Sequence, residues 1–384
     1  MQKRIIGIDL ARGFAILLVM WKHSLASYGG IALMPAWSQT GLTLLMQLAT
    51  PAFLLLFGIM LELVYLPRMQ RGKVQDTAAR LRQRALQCYG YYALAVVAFF
   101  FFAGTYSAKA LPFALTGFIS VPFSHLLAFY TLALAAAPLL LSLRMRHGLL
   151  PLVLFAVVLQ AAHPLITQLP PAPLVFGRQE LQHLSGTLYG QGVDFNGPSF
   201  IHGMAIVCIG MAFGSGVSSK SSGSSFRDVI GTRSIIVMLG ALVCLLLATN
   251  WQDPAGSFSG LLDASLRKDS HPLYFAFGLL GAMVMVCVFV YLYDVLKVRT
   301  GRFLQLFGRR SLFTFGIGNI LAHLAPAWLG EVLGGVGATA ALFSFVCVLA
   351  FAYDQLEARN LNLRRLATYL RSAANRDEIP RAEC

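Results

Sequence analysis

Apolar stretches of bilayer-spanning length recur along this chain of 384 residues. Most of them reach the roughly 18 to 20 residues that a helix needs to cross the hydrocarbon core of a membrane. An open-ended segment in lipid satisfies its backbone hydrogen bonds only as a helix, so the stretches predict an all-α polytopic membrane protein. About ten transmembrane helices in one bundle are expected, over 5–27, 41–66, 80–104, 123–143, 148–166, 199–217, 234–251, 272–297, 311–328 and 332–356.

The composition agrees with a membrane location. Asp, Glu, Lys and Arg make up 12% of the residues and hydrophobic residues 57%, whereas a soluble domain carries about 25% charged residues. The mean hydropathy is +0.68. These values exclude a soluble globular enzyme, a disordered chain and a disulfide-rich secreted scaffold.

The basic residues are distributed unevenly between the connecting segments. If the N-terminus is cytoplasmic, 24 of the 30 lysines and arginines lie on the cytoplasmic side and four on the opposite side. This positive-inside bias predicts that both termini are cytoplasmic. It also accounts for the net charge of +14 without a nucleic-acid partner. The chain is expected to divide into a transmembrane domain, 1–356, and a basic cytoplasmic tail, 357–384.

The first apolar stretch contains ionisable residues, which are costly inside a membrane and usually face a cavity or a partner. Arg12 and His23 are eleven residues apart, which places them on one helical face about 16 Å apart along the axis. This predicts a helix lining a path across the membrane, with Arg12 at the cytoplasmic mouth and His23 near the outer end. Asp9 can pair with Arg12 within the helix. In the alternative interpretation, Arg12 reaches inner headgroups and His23 is interfacial.

Polar residues of the later stretches supply secondary site candidates. Asn319 and His323 are four residues apart and share a helix face. His271 directly precedes Pro272 and is either a further candidate or a helix cap. No group of His, Cys, Asp or Glu has metal-ligand spacing, so no metal is expected.

Three segments resemble the acyltransferase-3 family of integral-membrane acyltransferases. The strongest is 8–23, where Asp9, an Arg12-Gly13 pair and an aliphatic run precede a His eleven residues after the Arg. Segment 51–58 resembles a second family motif but has Phe57 where Ser is usual. Segment 84–92 resembles an Arg-x-x-Arg motif.

The third motif is incomplete. Gln87 stands where the family has its second Arg. Arg80 or Arg82 can substitute for it.

The resemblance implies an envelope glycan O-acyltransferase of the bacterial inner membrane. Such an enzyme moves an acetyl or similar group from a cytoplasmic acyl-CoA to a hydroxyl of an extracytoplasmic polysaccharide or glycolipid. It implies His23 as the catalytic residue and Arg12 as a donor-binding residue. The third motif makes Arg84 a further donor-binding candidate, and His23 is expected to be the base or, alternatively, to carry the acyl group. Acyl-CoA is then a co-substrate, and no permanently bound cofactor is expected.

Elementary chemistry is compatible with these roles. Imidazole is a suitable base for a sugar hydroxyl near neutral pH. Guanidinium groups bind phosphates such as those of CoA, and Arg309 and Arg310 are expected to add to the basic docking surface.

Seven of the eight histidines fall toward the outer side, which fits a polar cavity for a glycan. Asn319 and His323 are then candidates for polarising the acceptor or the thioester carbonyl.

The sequence is also compatible with two other functions. A transporter or flippase of an envelope glycan precursor or small solute also needs buried charge and a polar path, although the sequence contains no inverted repeat. The third possibility is a catalytically silent partner in polysaccharide assembly.

Overall fold

The computed structural model describes residues 5–102, 108–119, 121–170, 172–174, 180–190, 199–217, 226–301 and 303–377. In this part of the chain the regular structure is helical, apart from one isolated bridge between Val217 and Ile230. The all-α prediction is confirmed for these residues.

The first half of the chain contains ten α-helices within the described residues, and most of the longer ones overlap the predicted stretches. The ten helices are α1 Ile6–Ser27, α2 Ala36–Gln47, α3 Ala49–Met60, α4 Leu66–Gln70, α5 Val74–Phe102, α6 Leu111–Leu115, α7 His125–His147, α8 Leu150–Ala161, α9 His163–Ile166 and α10 Glu180–Tyr189. A π-helical segment, Leu61–Tyr65, joins α3 to α4, and 3-10 turns occupy Gly30–Leu33 and Ala108–Ala110.

The second half continues the same architecture. Its helices are α11 Phe200–Gly214, α12 Phe226–Val229, α13 Thr232–Ala248, α14 Pro254–Leu262, α15 Ser265–Lys268, α16 Pro272–Val290, α17 Leu304–Arg309, α18 Ser311–Leu324 and α19 Ala327–Asp377. A second π-helical segment, Tyr291–Val295, extends α16.

Five helical stretches of the described residues are long and apolar enough to cross a membrane: Trp37–Gln70, Val74–Phe102, His125–His147, Pro272–Val295 and Ala327–Arg359. Four shorter apolar helices, α8, α11, α13 and α18, also lie on predicted spans. The shortest, α8, has 12 residues and measures about 18 Å, against a hydrocarbon core of about 30 Å. The number of ten spans and the cytoplasmic termini therefore remain predictions.

The helix ends differ from the predicted ones by several residues, and two helices differ in a further way. The stretch predicted over 41–66 is divided at Leu48 into α2 and α3. The last helix, α19, passes through position 356, where the tail is predicted to begin, and continues to Asp377. It bends at Gly334, whose φ of 68° is readily adopted only by glycine.

Helix α1 is surrounded by other helices and packs against α3, α16, α17 and α18. Its first turn is capped by Asp294, whose carboxylate accepts hydrogen bonds from the backbone N–H of Ile6 at 3.0 Å and of Gly7 at 2.7 Å. A carboxylate at this position satisfies free donors and complements the helix dipole. The cap fixes the end of α1 that leads to Arg12.

The approach of α1 to α17 depends on two glycines. A Cβ at Gly13 would collide with the carbonyl oxygen of Leu304, and a Cβ at Gly308 would collide with that of Asp9. Small residues let helix backbones come this close in a membrane bundle. The α1–α17 contact brings Arg309 and Arg310, at the end of α17, toward Arg12.

A buried ion pair joins the π-helical segment to α7. Glu62 accepts hydrogen bonds from Arg144 Nη2 at 2.7 Å and from Arg144 Nε at 3.1 Å. The side chains are 7% and 18% exposed, respectively. This bidentate geometry ties α7 to the segment that follows α3.

Candidate functional site

A cavity of about 560 Å³ opens between α1, α3, α5, α7, α18 and α19. Its polar wall includes four arginines, namely Arg12, Arg84, Arg309 and Arg310, and four tyrosines, namely Tyr65, Tyr91, Tyr130 and Tyr353. The rest of the wall is mainly apolar and includes Ile16, Phe53, Leu56, Phe57, Leu126, Leu127 and Phe315. The cavity therefore joins a basic region to an apolar one.

Arg84 and Gln87 lie together on the cavity wall. Arg84 Nη1 donates a hydrogen bond to Gln87 Oε1 at 3.1 Å. Arg80 and Arg82 do not line this cavity. Besides Arg12 and Arg84, the arginines of this wall are Arg309 and Arg310, which come from a distant part of the chain.

Arg310 is held in a network at the cavity wall. Its Nε lies 2.6 Å from Asp354 Oδ1, and its Nη1 pairs with Glu357. Its guanidinium lies 5.7 Å from the ring centre of Tyr353, which itself stacks on Phe313 at 4.0 Å. Helix α19 thus supplies both acidic and aromatic partners to this arginine.

His23 lies beside Asn319, with Nδ1 of the imidazole 2.8 Å from Oδ1 of the amide. An amide oxygen only accepts hydrogen bonds, so the imidazole donates from Nδ1 and keeps its lone pair on Nε2. Asn319 is fully buried, and its Nδ2 has no hydrogen-bond partner. The pair therefore offers a free acceptor on the imidazole and a free donor on the amide.

Two phenylalanines pack against the imidazole. The ring centre of Phe123 lies 4.6 Å from that of His23, and the ring centre of Phe315 lies 6.1 Å from it. Phe123 also approaches His323 at 5.5 Å. Phe123 has a φ of 61°, a strained backbone conformation for a bulky residue. Strain of this kind clusters at functional sites.

Arg12 and His23 have different surroundings. Arg12 is part of the cavity wall, whereas His23 is not. Phe315 contacts both regions, since it lines the cavity and packs against the imidazole. Among the described residues, the cavity that holds Arg12 therefore does not extend to His23.

The remaining predicted residues lie apart from this pair. Asp9 is 6% exposed, where α1 meets α17. His271 caps α16, because its Nδ1 accepts a hydrogen bond from the backbone N–H of Leu273 at 3.1 Å. Burial and the nearby charge of His163 hold the pKa of His271 below its usual value. The geometry of His271 is that of a cap.

Several residues of the site cannot be identified from the sequence. Phe123, Phe315, Tyr353 and Glu357 carry no motif, and their positions depend on how distant helices meet. The one available signal was the spacing of Phe315 and Asn319, four residues apart on one helix face.

These features define a class: a helical membrane protein with a basic cavity adjoining a pair formed by a half-buried His and a buried Asn. The family model for OpgC protein matches residues 4–116, which include α1 to α6. OpgC is a family for osmoregulated periplasmic glucan modification. A comparison with curated proteins finds no match.

The match corrects the family suggested by the motifs. The acyltransferase-3 assignment is wrong, because the family model that matches is that of OpgC protein. All three motif segments, 8–23, 51–58 and 84–92, lie within the matched residues. Short motifs of this kind have a high false-positive risk, since a few residues at helical spacing recur in unrelated membrane chains.

Proposed function

We propose that this protein is a membrane-embedded O-acyltransferase that modifies an extracytoplasmic glucan. The acyl group comes from a cytoplasmic acyl-CoA and is transferred to a sugar hydroxyl. The association of the OpgC family with envelope-glucan modification supports this class of reaction. The observation that carries the proposal is the basic cavity that adjoins the His23–Asn319 pair.

The donor binds in the cavity. Arg12 and Arg84 contact its phosphates. Arg309 and Arg310 add guanidinium N–H donors at the same wall, where Asp354 and Glu357 partly balance their charge. Guanidinium groups bind phosphate oxygens through paired, charge-assisted hydrogen bonds. The apolar part of the wall accommodates the uncharged arm that carries the thioester.

His23 acts as the general base. Its Nε2 takes the proton of the sugar hydroxyl while the hydroxyl oxygen bonds to the thioester carbonyl carbon. The C–S bond then breaks, and the leaving thiolate takes that proton from the imidazolium. The Nδ1–H bond to Asn319 holds the required tautomer, as a partner of an imidazole base must.

Asn319 has a second role in this reaction. Its buried Nδ2 has no hydrogen-bond partner, which is unusual for a buried donor. A developing oxyanion on the thioester carbonyl supplies the missing acceptor. His323 lies near the same ring cluster and assists in orienting the acceptor.

The test uses the periplasmic glucans of a strain that lacks the gene. The strain is complemented with the unaltered protein, with His23→Ala or with His147→Ala, a control at the exposed end of α7. Mass spectrometry should detect acylated glucans with the unaltered protein and the control, but not with His23→Ala. Membrane levels of all three proteins are compared by immunoblotting.

Two results would contradict the proposal. Normal acylation with His23→Ala removes this residue from the mechanism. Unchanged glucan modification with altered glucan export in the deletion strain favours a transporter instead.

A further inference from the structure

Phe315 occupies the boundary between the cavity and the His23 site. It is 4% exposed and forms part of the cavity wall. Its ring centre lies 6.1 Å from that of His23 and 6.0 Å from that of Phe53, another residue of the wall. Phe315 is thus a residue of the cavity wall whose ring also packs against the imidazole.

The position of Phe315 is coupled to that of Asn319. Phe315 and Asn319 are one helical turn apart on α18. The same helix therefore carries the hydrogen-bond partner of His23 and an aromatic ring that packs against its imidazole. Helix α18 is also tightly packed: a Cβ at Gly316 would collide with the ring of Tyr91, and a Cβ at Gly318 would collide with Met20. Neighbouring side chains therefore lie close to the backbone of α18 on both sides of Phe315 and Asn319.

Whether water in the cavity can reach the imidazole of His23 has a chemical consequence. The arginine-rich wall of the cavity attracts water as well as anions. A thioester carbonyl beside an imidazole base is attacked by water as readily as by a sugar hydroxyl, unless water is excluded. Acyl transfer to the sugar and not to water therefore requires that water in the cavity does not reach Nε2 of His23.

We propose that Phe315 is a specificity-determining residue that excludes cavity water from His23, so that the acyl group is transferred to the glucan and not to water. The inference rests on the proposed acyl transfer. In the side reaction that Phe315 prevents, a water oxygen bonds to the thioester carbonyl carbon and the C–S bond breaks. The water proton passes through His23 to the thiolate, and the products are a free acid and free CoA.

The first test measures thiol release from acetyl-CoA by the full-length protein in lipid nanodiscs, without glucan. Phe315→Ala should raise this acceptor-independent release about tenfold, equivalent to about 1.4 kcal/mol in barrier height. Phe345→Ala is the matched control, since it removes the same aromatic ring at an exposed position outside the cavity wall. If Phe315→Ala releases thiol no faster than the unaltered protein, the proposal is overturned.

The side reaction also depends on His23. Combining Phe315→Ala with His23→Ala should abolish the additional release. Persistence of that release in the double variant would contradict the proposed route through the imidazole.

A second test is independent of catalysis. In inside-out vesicles, a charged thiol reagent is applied to His23→Cys with and without Phe315→Ala, and labelling is mapped by mass spectrometry. Cys88, which lines the cavity, is the internal control. Labelling at position 23 should require Phe315→Ala.

The two tests separate the barrier from the reaction. Labelling of His23→Cys with Phe315 intact, or no labelling in either background, would show that Phe315 is not the barrier. If the unaltered protein releases no thiol even with glucan present, the proposed function fails, and the labelling result still decides whether Phe315 closes the cavity.

Discussion

The imidazole of His23 and the amide of Asn319 meet at 2.8 Å although they are 296 residues apart in the chain. The first comes from α1 and the second from α18, and both are held by tight helix contacts. This contact joins the matched N-terminal segment to the C-terminal part of the bundle. A functional site at this point therefore combines residues from both ends of the bundle.

The amide of Asn319 should contribute to the reaction rate more than to donor binding. Asn319→Ala removes both the partner of His23 Nδ1 and the free Nδ2 donor, so we expect kcat to fall about 100-fold, as for other lost oxyanion donors. The KM for acyl-CoA should change little. Steady-state kinetics with the protein in nanodiscs measure both constants.

Asn250→Ala is the control for this variant, because Asn250 is exposed after α13. A rise in KM with unchanged kcat would show that Asn319 does not act on the transition state.

Arg84 should contribute to donor binding. Arg84→Ala removes one guanidinium from the cavity wall, and we expect the KM for acyl-CoA to rise about tenfold with little change in kcat. Arg80→Ala, on the same helix but outside the cavity wall, should leave KM unchanged. Equal effects of the two substitutions would indicate a general charge effect of this basic helix and not a binding contact.

The ion pair of Glu62 and Arg144 should stabilise the bundle. Removing either partner leaves an uncompensated charge in a largely buried site, at a cost of about 3–5 kcal/mol. Glu62→Ala and Arg144→Ala are therefore each expected to lower the thermal unfolding temperature in detergent. The loss of stability in the double variant should be smaller than the sum of the losses in the two single variants. Additive effects in this double-mutant cycle would mean that the two side chains do not interact.

The cap at His271 should make stability depend on pH. Its pKa in the folded protein is lowered by burial and by His163, while Asp269 opposes the shift. The unfolded chain, with a His pKa of about 6.5, therefore binds the proton more readily. The stability contributed by the neutral ring is present above that value and is lost as the pH falls below it.

His271→Asn tests this dependence, because Asn can cap a helix but does not titrate. The unfolding temperature of the unaltered protein should fall more between about pH 7.5 and about pH 5 than that of the variant. His147→Asn is the control at an exposed site. Identical pH profiles of the unaltered protein and His271→Asn would exclude the cap as a source of the pH dependence.

Part of the candidate site could be predicted from local sequence. Arg12, Arg84, Arg309 and Arg310 lie at the cavity because basic residues collect at one side of a membrane bundle. The spacing of Asn319 and His323 also identified the helix face that meets His23. Family assignment from the short motifs failed, because three local patterns contain too little information to separate families of similar composition.

The sequence by itself determined the helical, membrane-type fold, because apolar length and backbone hydrogen bonding are local properties. Only the tertiary structure decided which side chains meet. The contact of His23 with Asn319, the position of Phe315 at the cavity wall and the strained backbone of Phe123 all depend on packing between helices that are distant in the chain. Such packing is determined by the shape of the whole core, which no short window of residues contains.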